Sequence, residues 1–382
     1  MFSFFELAEK KIDQLVKRQL SCLWIACGIK IMTIKSEDFL GNNLQEKIMK
    51  MTTLKSVAIA VGLASPAFGQ AVSPVVGYET LAVEPGFNFL GLRLHEKLEF
   101  SGSIVSVSGT TVTLGSAPAV SDGLTLFEVT TGAAAGSVIE IVSVAGSDVT
   151  LSEDLSAELV AGDGVDIRAS ATLETVFGAN NEINLTSSSS FGTSDQVLVP
   201  DGSGGFDTFA FVEGNAFLGT ADGWQDADGN SVDPADINLV YTDSVLVNSV
   251  EGNDLVISGA LKTTPTTVAL TLPFNFIGTA YPVGVTLATA FGANNESDLE
   301  SSSSFGTSDQ VLVPDGSGGF NTFAFVEGNA FLGTPAGWQD SDGNSVDATT
   351  VSLGSNSGII VNLNGEPLNV PFSTPVVISD LD

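Results

Sequence analysis

One stretch of this chain is written twice. Residues 175–233 recur at 289–347 with a constant offset of 114 positions, and eight of the fifty-nine aligned positions differ. A repeat this long, and this rich in Gly, Asn, Asp and Ser, describes a duplicated β-domain rather than a short-period solenoid. It also constrains function. A catalytic site is usually single, whereas duplication supplies bivalent binding, length or lattice contacts.

Within the repeat, short runs rich in Val, Thr and Phe alternate with turn clusters. Residues 196–200 (QVLVP) read as a strand and 200–205 (PDGSGG) as a turn. Residues 207–212 (DTFAFV) read as a strand with Phe209 and Phe211 on one face. A further strand is expected to start at 216–218 (AFL), and helix signals are nearly absent after residue 70.

The unit reaches upstream of its near-identical part. Residues 87–91 (FNFLG) match 274–278 (FNFIG), each after an extended apolar segment. Far more chain separates the first block from Phe177 than the second from Phe291, so the first unit carries an insertion. Inside it, 102–114 echoes 136–151 as strand, Ser/Gly turn and Thr/Val strand, which gives two hairpins. The expected fold class is all-β, built of tandem sandwich- or barrel-like units. The first unit covers 72–97 plus 171–262, a small inserted β-barrel or sandwich covers 98–170, and the second unit covers 263–382. Pro371 and Pro375 mark edge strands at the end.

Composition splits the 382 residues near position 50. The net charge is −32, yet nine of the 13 basic residues, all four Met and both Cys precede residue 56. Residues 49–55 form a short basic region, and 57–64 (VAIAVGLA) an apolar run. That run is well short of the roughly twenty residues that span a bilayer. Residues 65–69 (SPAFG) supply small residues for cleavage, so 49–71 reads as a Sec-type signal peptide. The expected location is periplasmic, cell-surface or extracellular. Residues 1–48, with a helical pattern, read as an over-extended start or a non-domain segment.

From about residue 70 the chain has neither Cys nor Met, which removes disulfides and thiolate metal sites, and no membrane-spanning run is expected. Its basic residues there are Arg93, Lys97, Arg168 and Lys262. Four cannot make a phosphate-binding stripe, so nucleic acid is excluded as a partner. The expected partners are further copies of the chain, extracellular polysaccharide or other surface proteins.

The ordered blocks carry a resemblance. They are PVVGY at 74–78, FNFLG at 87–91, GAAAGS at 132–137, FGANN at 177–181, SDQVLV at 194–199, F-x-TFAF at 206–211 and Trp224. Together the chain resembles a family of exported bacterial β-rich proteins without an established activity. The resemblance covers most of 74–248 and again 268–363, and it implies export and a β-rich fold. The second unit departs from the pattern by lacking the inserted barrel.

The repeat offers one metal-like constellation twice. Asp226, Asp228, Asn230 and Asp233 recur as Asp340, Asp342, Asn344 and Asp347. Alternating oxygen donors on a tight Gly-containing loop are what calcium takes, so these are candidate calcium ligands, and calcium is the one candidate cofactor. The spacing fails the EF-hand pattern, and Asp-Gly and Gly-Asn also make plain hairpin turns. Trp224 and Trp338, each just ahead of such a loop, are core aromatics or glycan-stacking platforms. The polyserine runs 187–190 and 301–304 lack a nucleophile elbow or a nearby histidine and read as surface loops. His95, the chain's one histidine, reads as a surface or hinge residue, which leaves no material for a Ser-His-Asp triad. Asp195, Asp207, Glu213 and Asp228 are carboxylates of the kind a glycosidase pairs.

Two functions fit. The first is an exported, non-catalytic structural, matrix or adhesive surface protein. The alternative is a secreted carbohydrate-binding or carbohydrate-hydrolysing protein.

Overall fold

The computed structural model describes residues 76–214, 221–271, 273–328, 336–353 and 358–374. The N-terminal segment, the signal peptide expected at 49–71 and the strand expected at 216–218 lie outside the described residues.

The chain opens with β1 (Val76–Val83) and β2 (Gly86–Gly91). Six strands follow: β3 (Leu98–Ser108), β4 (Thr111–Leu114), β5 (Thr125–Val129), β6 (Val138–Ala145), β7 (Asp148–Leu151) and β8 (Gly164–Ala169). They close into a barrel in the order β3-β4-β7-β6-β5-β8. The first unit then resumes with β9 (Ala171–Thr172), the one-turn helix α1 (Leu173–Phe177), β10 (Gln196–Pro200), β11 (Phe206–Val212), β12 (Gly223–Asp226), β13 (Asn238–Leu239), β14 (Ser244–Ser249) and β15 (Asn253–Ala260). The second unit comprises β16 (Thr266–Leu270), β17 (Phe274–Gly278), the one-turn helix α2 (Leu287–Phe291), β18 (Gln310–Pro314), β19 (Phe320–Val326), β20 (Gly337–Asp340), β21 (Gly358–Asn362) and β22 (Leu368–Phe372). No described helix is long and apolar enough to cross a membrane.

The fold is all-β, and the two units share one topology. Each has an antiparallel five-stranded sheet, β12-β11-β10-β14-β2 in the first and β20-β19-β18-β21-β17 in the second. Each adds a two-stranded ribbon, β1-β15 or β16-β22. Registers repeat as well. Gln196 lies opposite Ala210 and Asn248, and Gln310 opposite Ala324 and Asn362. Pro371 sits in β22, which pairs with β16 alone among the described strands, so its missing N–H leaves no ladder partner unmet.

The two short helices were not expected. Each is nucleated by a reciprocal cap, in which Thr172 and Thr175, or Thr286 and Thr289, exchange side-chain and backbone hydrogen bonds. Each stops at a glycine, Gly178 (φ 89°) or Gly292 (φ 88°), in backbone space that side chains with a Cβ rarely enter. Five residues are too few to show a 3.6-residue period, which is why the apolar pattern hides them.

The barrel has its own internal symmetry. Bulges fall between Ile104 and Ser106 in one hairpin and between Ile141 and Ser143 in the other. At its centre Val112 faces Val149, flanked by Thr111–Thr150 and Thr113–Asp148. Phe127, Val165 and Ile167 fill the interior, while the alternate residues on β5 and β8 point outward.

The five-stranded sheets bury both faces. On one face Val197, Phe209, Phe211, Val245 and Val247 join Leu173 and Phe177 of α1 and Leu81 and Leu255 of the ribbon. On the other, Leu198, Leu246 and Phe89 form a row across β10, β14 and β2. With Phe206 they meet Leu312, Ile360, Phe276 and Phe320 of the second unit. Every member of this cluster has its counterpart in the cluster. The contact is therefore isologous, the self-complementary kind that a twofold axis generates. Phe89 packs edge-on against Phe320 at 5.1 Å, and Phe206 against Phe276 at 4.7 Å, both at 70°. Gly358 permits the approach, since a Cβ there would lie 2.8 Å from both the carbonyl carbon of Phe89 and the Cβ of Ser244.

Candidate functional site

The two tryptophans are core residues. Trp224 is 1% exposed and Trp338 2%. Their indole N–H groups donate to the carbonyls of Gly178 and Gly292, at 3.0 and 2.9 Å. Phe177 and Phe211 pack against the first, and Phe291 and Phe325 against the second. This corrects the glycan-stacking reading, because neither indole offers a face to a sugar.

The aspartate loops close on themselves. Asp226 Oδ1 accepts from the backbone N–H of Asp228 and Asn230, at 3.0 and 2.8 Å, and its Oδ2 accepts from the Asn230 amide at 2.9 Å. Asp340 does the same with Asp342 and Asn344. These bonds, the Asn230 and Asn344 amides foremost, hold both carboxyls below the usual carboxylate range. Asp233 accepts from Ala235 N, and Asp347 accepts from Thr349. The loop thus brings Asp226 and Asn230 together and does not converge Asp228 or Asp233 upon them. Among the described residues, no group of three or more His, Cys, Asp or Glu gathers as a metal site.

Of the glycosidase-type carboxylates, Asp195 is fully buried. It accepts from Thr186 N, Val250 N and Ser249 Oγ, and so ties β10 to the end of β14. Asp309 holds Glu300, Asn364 and Gly365 in the second copy. The polyserine runs fold into local turns, with Ser188 Oγ 2.6 Å from Thr193 Oγ1 and Ser302 Oγ 2.5 Å from Thr307 Oγ1.

The most concentrated chemistry lies elsewhere, where the barrel meets the tandem body. Glu128 on β5 and Arg168 on β8 share the barrel's outward face. Arg168 clasps Glu128 with Nε at 2.6 Å and Nη2 at 3.2 Å. Lys262 Nζ lies 3.3 Å from the same carboxylate, and the Tyr241 hydroxyl donates to it at 2.9 Å. Arg168 also donates to the Glu96 carbonyl, and Lys262 to Thr264 Oγ1 and the Pro265 carbonyl. All four side chains are buried.

His95 completes the joint, and its position corrects the surface reading. It is 4% exposed, packs edge-on against Tyr241 at 4.4 Å, and has Nε2 2.9 Å from the Ala280 carbonyl of the second unit. That carbonyl needs a donor, so Nε2 carries the proton, while the buried Nδ1 has no hydrogen-bond partner among the described residues. Burial, with Arg168 nearby, lowers the imidazole to about 3, so it is neutral. Burial alone would raise Glu128, but Lys262 and Arg168 outweigh it and hold the carboxyl at about 2. Beside this joint, Arg93 clasps the carboxylate of Glu79. A carboxylate saturated by a guanidinium, an ammonium and a phenol, and sealed from water, pins elements together and has no route to a substrate.

Comparison with protein-family models, with curated proteins and with solved structures returns no match.

The sequence reading passed over Glu128 and Tyr241 altogether and took Arg168 and Lys262 only as evidence against nucleic acid. A signal was present. Arg93 and Lys97 precede the inserted barrel, Arg168 closes it, and Lys262 stands where the second unit begins. Basic residues this scarce, placed at module joints, are more informative than their number.

Proposed function

We propose that this chain is an exported, non-catalytic structural or adhesive protein of the cell surface or extracellular matrix. One observation carries the reading. The duplicated units meet through equivalent residues and bury a shared aromatic contact, which fits one packed body better than two independent catalytic modules. Supporting it, Asp226 and Asp340 are engaged by their own turns, and Glu128, Arg168 and Lys262 by one another. The signal-peptide pattern at 49–71 supplies the route out of the cell. The carbohydrate alternative loses its two stacking platforms to the core.

Fractionation of the producing cells, with antibody detection, tests the location, and a deletion strain assayed for adhesion and matrix integrity tests the role. The protein is expected in the surface or medium fraction, with a matrix or adhesion defect on deletion. A cytoplasmic location, or polysaccharide hydrolysis by the purified chain, overturns the proposal.

A further inference from the structure

The pseudo-twofold axis leaves a cleft on each side of the Phe89–Phe276 pair. One, of about 230 Å³, lies between β2 and the 314–320 turn of the second unit. The other, of about 130 Å³, lies between β17 and the 200–205 turn of the first. Their walls are counterparts, with Phe87 and Phe89 in one and Phe274 and Phe276 in the other. Phe87 is 57% exposed and Phe274 52%, and among the described residues they are the phenylalanines left in solvent. Each stands on the terminal strand of its sheet, and on the outer side of β17 Ile277 bridges to Asp243 while Gly278 N donates to the Thr242 carbonyl. The fold buries its other described phenylalanines at least in part, yet exposes the same one twice beside a cleft.

Each cleft also holds one carboxylate, and the two come from positions that are not counterparts. Glu84 lines the first cleft, and its counterpart is Thr271. The equivalence is fixed by geometry, since Glu84 N donates to Asn88 Oδ1 as Thr271 N donates to Asn275 Oδ1. Asp243 lines the second cleft, and 114 positions on the sequence has Ser357. The residue changes sides while the pairing of carboxylate with phenylalanine stays. Burial, with the charge of Glu140 adding to it, raises the Asp243 carboxyl to about 6, so its ionised form gains from a cation beside it.

We propose that the twin clefts receive the basic side chains of an extended partner polypeptide. Each lysine or arginine lies over Phe87 or Phe274 with its charge toward Glu84 or Asp243. Charge selects this occupant. The chain carries −32, and Lys97 is the basic side chain that the described surface exposes. The small clefts fit one side chain each and so act as two separate sites on one chain. The inference goes beyond the proposed function and stands on the clefts alone.

The test uses the full chain and two fluorescently labelled peptides of equal length, one alternating lysine with threonine and the other glutamate with threonine. Titration followed by fluorescence anisotropy in about 0.15 M salt screens diffuse attraction to the acidic surface. The lysine peptide is expected to fill about two sites per chain, and Phe87→Ala and Phe274→Ala each to remove about one. Glu84→Gln and Asp243→Asn are expected to weaken binding at their own cleft, and they carry the test if a phenylalanine variant fails to fold. No binding of the lysine peptide, equal binding of the glutamate peptide, or undiminished binding in the folded Phe87→Ala/Phe274→Ala variant overturns the proposal.

Discussion

Phe89 and Phe276, counterparts in the two copies, stack on one another with ring centroids 6.2 Å apart and planes 6° from parallel. A residue that meets its own counterpart marks a twofold axis, and the contacts around this pair obey it. Phe89 meets Phe320, and Phe276 meets Phe206. The tandem repeat is thus an internal dimer whose halves are tethered by one chain, which supplies the high effective concentration a separate dimer lacks.

Truncating the axis residue should therefore damage both units at once. Phe89→Ala is expected to lower unfolding free energy by roughly 3 kcal/mol. Combined with Phe320→Ala it should fall short of additivity by about 0.5–1.5 kcal/mol, because both variants delete one aromatic contact. Urea unfolding of the single and double variants measures this.

The buried joint makes a second prediction. Glu128→Gln leaves Arg168 and Lys262 buried without their counter-charge, which should destabilise by roughly 3–5 kcal/mol. Lys262→Met removes one cation and leaves the Arg168–Glu128 clasp whole, so its effect should be smaller. Thermal melting of the two variants ranks them.

Acid should unlock the same joint. His95 ionises near 3 in the folded chain against an ordinary 6.5, so below 6.5 the unfolded chain binds a proton that the folded chain refuses. Stability is then lost as pH falls from 6.5 toward 3, on the order of 4 kcal/mol across the whole window. Glu128, held near 2 against 4.5, adds a loss in the same direction, starting below 4.5. Asp243, raised to about 6 from 3.8, runs the other way, since its contribution is present below 3.8 and lost as pH rises through 6. His95→Asn should flatten the fall between pH 6.5 and 4.5, where Glu128 does not yet titrate. Urea midpoints across pH, in the parent and the variant, check the sign and the window.

The aspartate turns should not respond to calcium. Both oxygens of Asp226 and of Asp340 are occupied by their own loops. Millimolar calcium is expected to leave the melting temperature unchanged, whereas Asp226→Ala should lower it through loss of the turn's hydrogen bonds. A calcium-dependent rise in melting temperature that Asp226→Ala abolishes would support the calcium-ligand reading.

Much of the architecture was legible because it rests on local rules. The period-two alternation of DTFAFV placed Phe209 and Phe211 inward, and the FNFLG echo at 274–278 located strands on both sides of the insertion. What escaped was non-local. Leu198 and Leu246 read as ordinary strand residues, and that their face meets the partner copy depends on tertiary packing that no spacing encodes. The burial of His95 was hidden by its polar surroundings in Arg-Leu-His-Glu-Lys at 93–97, a segment whose first and third side chains are both buried. Trp224 and Trp338 could not be assigned from residue type, because exposure alone separates a core indole from a binding one.

The central claim is that two copies make one cooperative body, and the tryptophans provide the most direct test. Trp224 reports the first unit and Trp338 the second, so two variants, each replacing Trp24 and one of them with phenylalanine, carry a single reporter in one unit or the other. Urea unfolding followed by fluorescence should give the same midpoint and the same slope from both reporters. Two separated transitions, with one unit unfolding while the other keeps its native signal, would contradict the account.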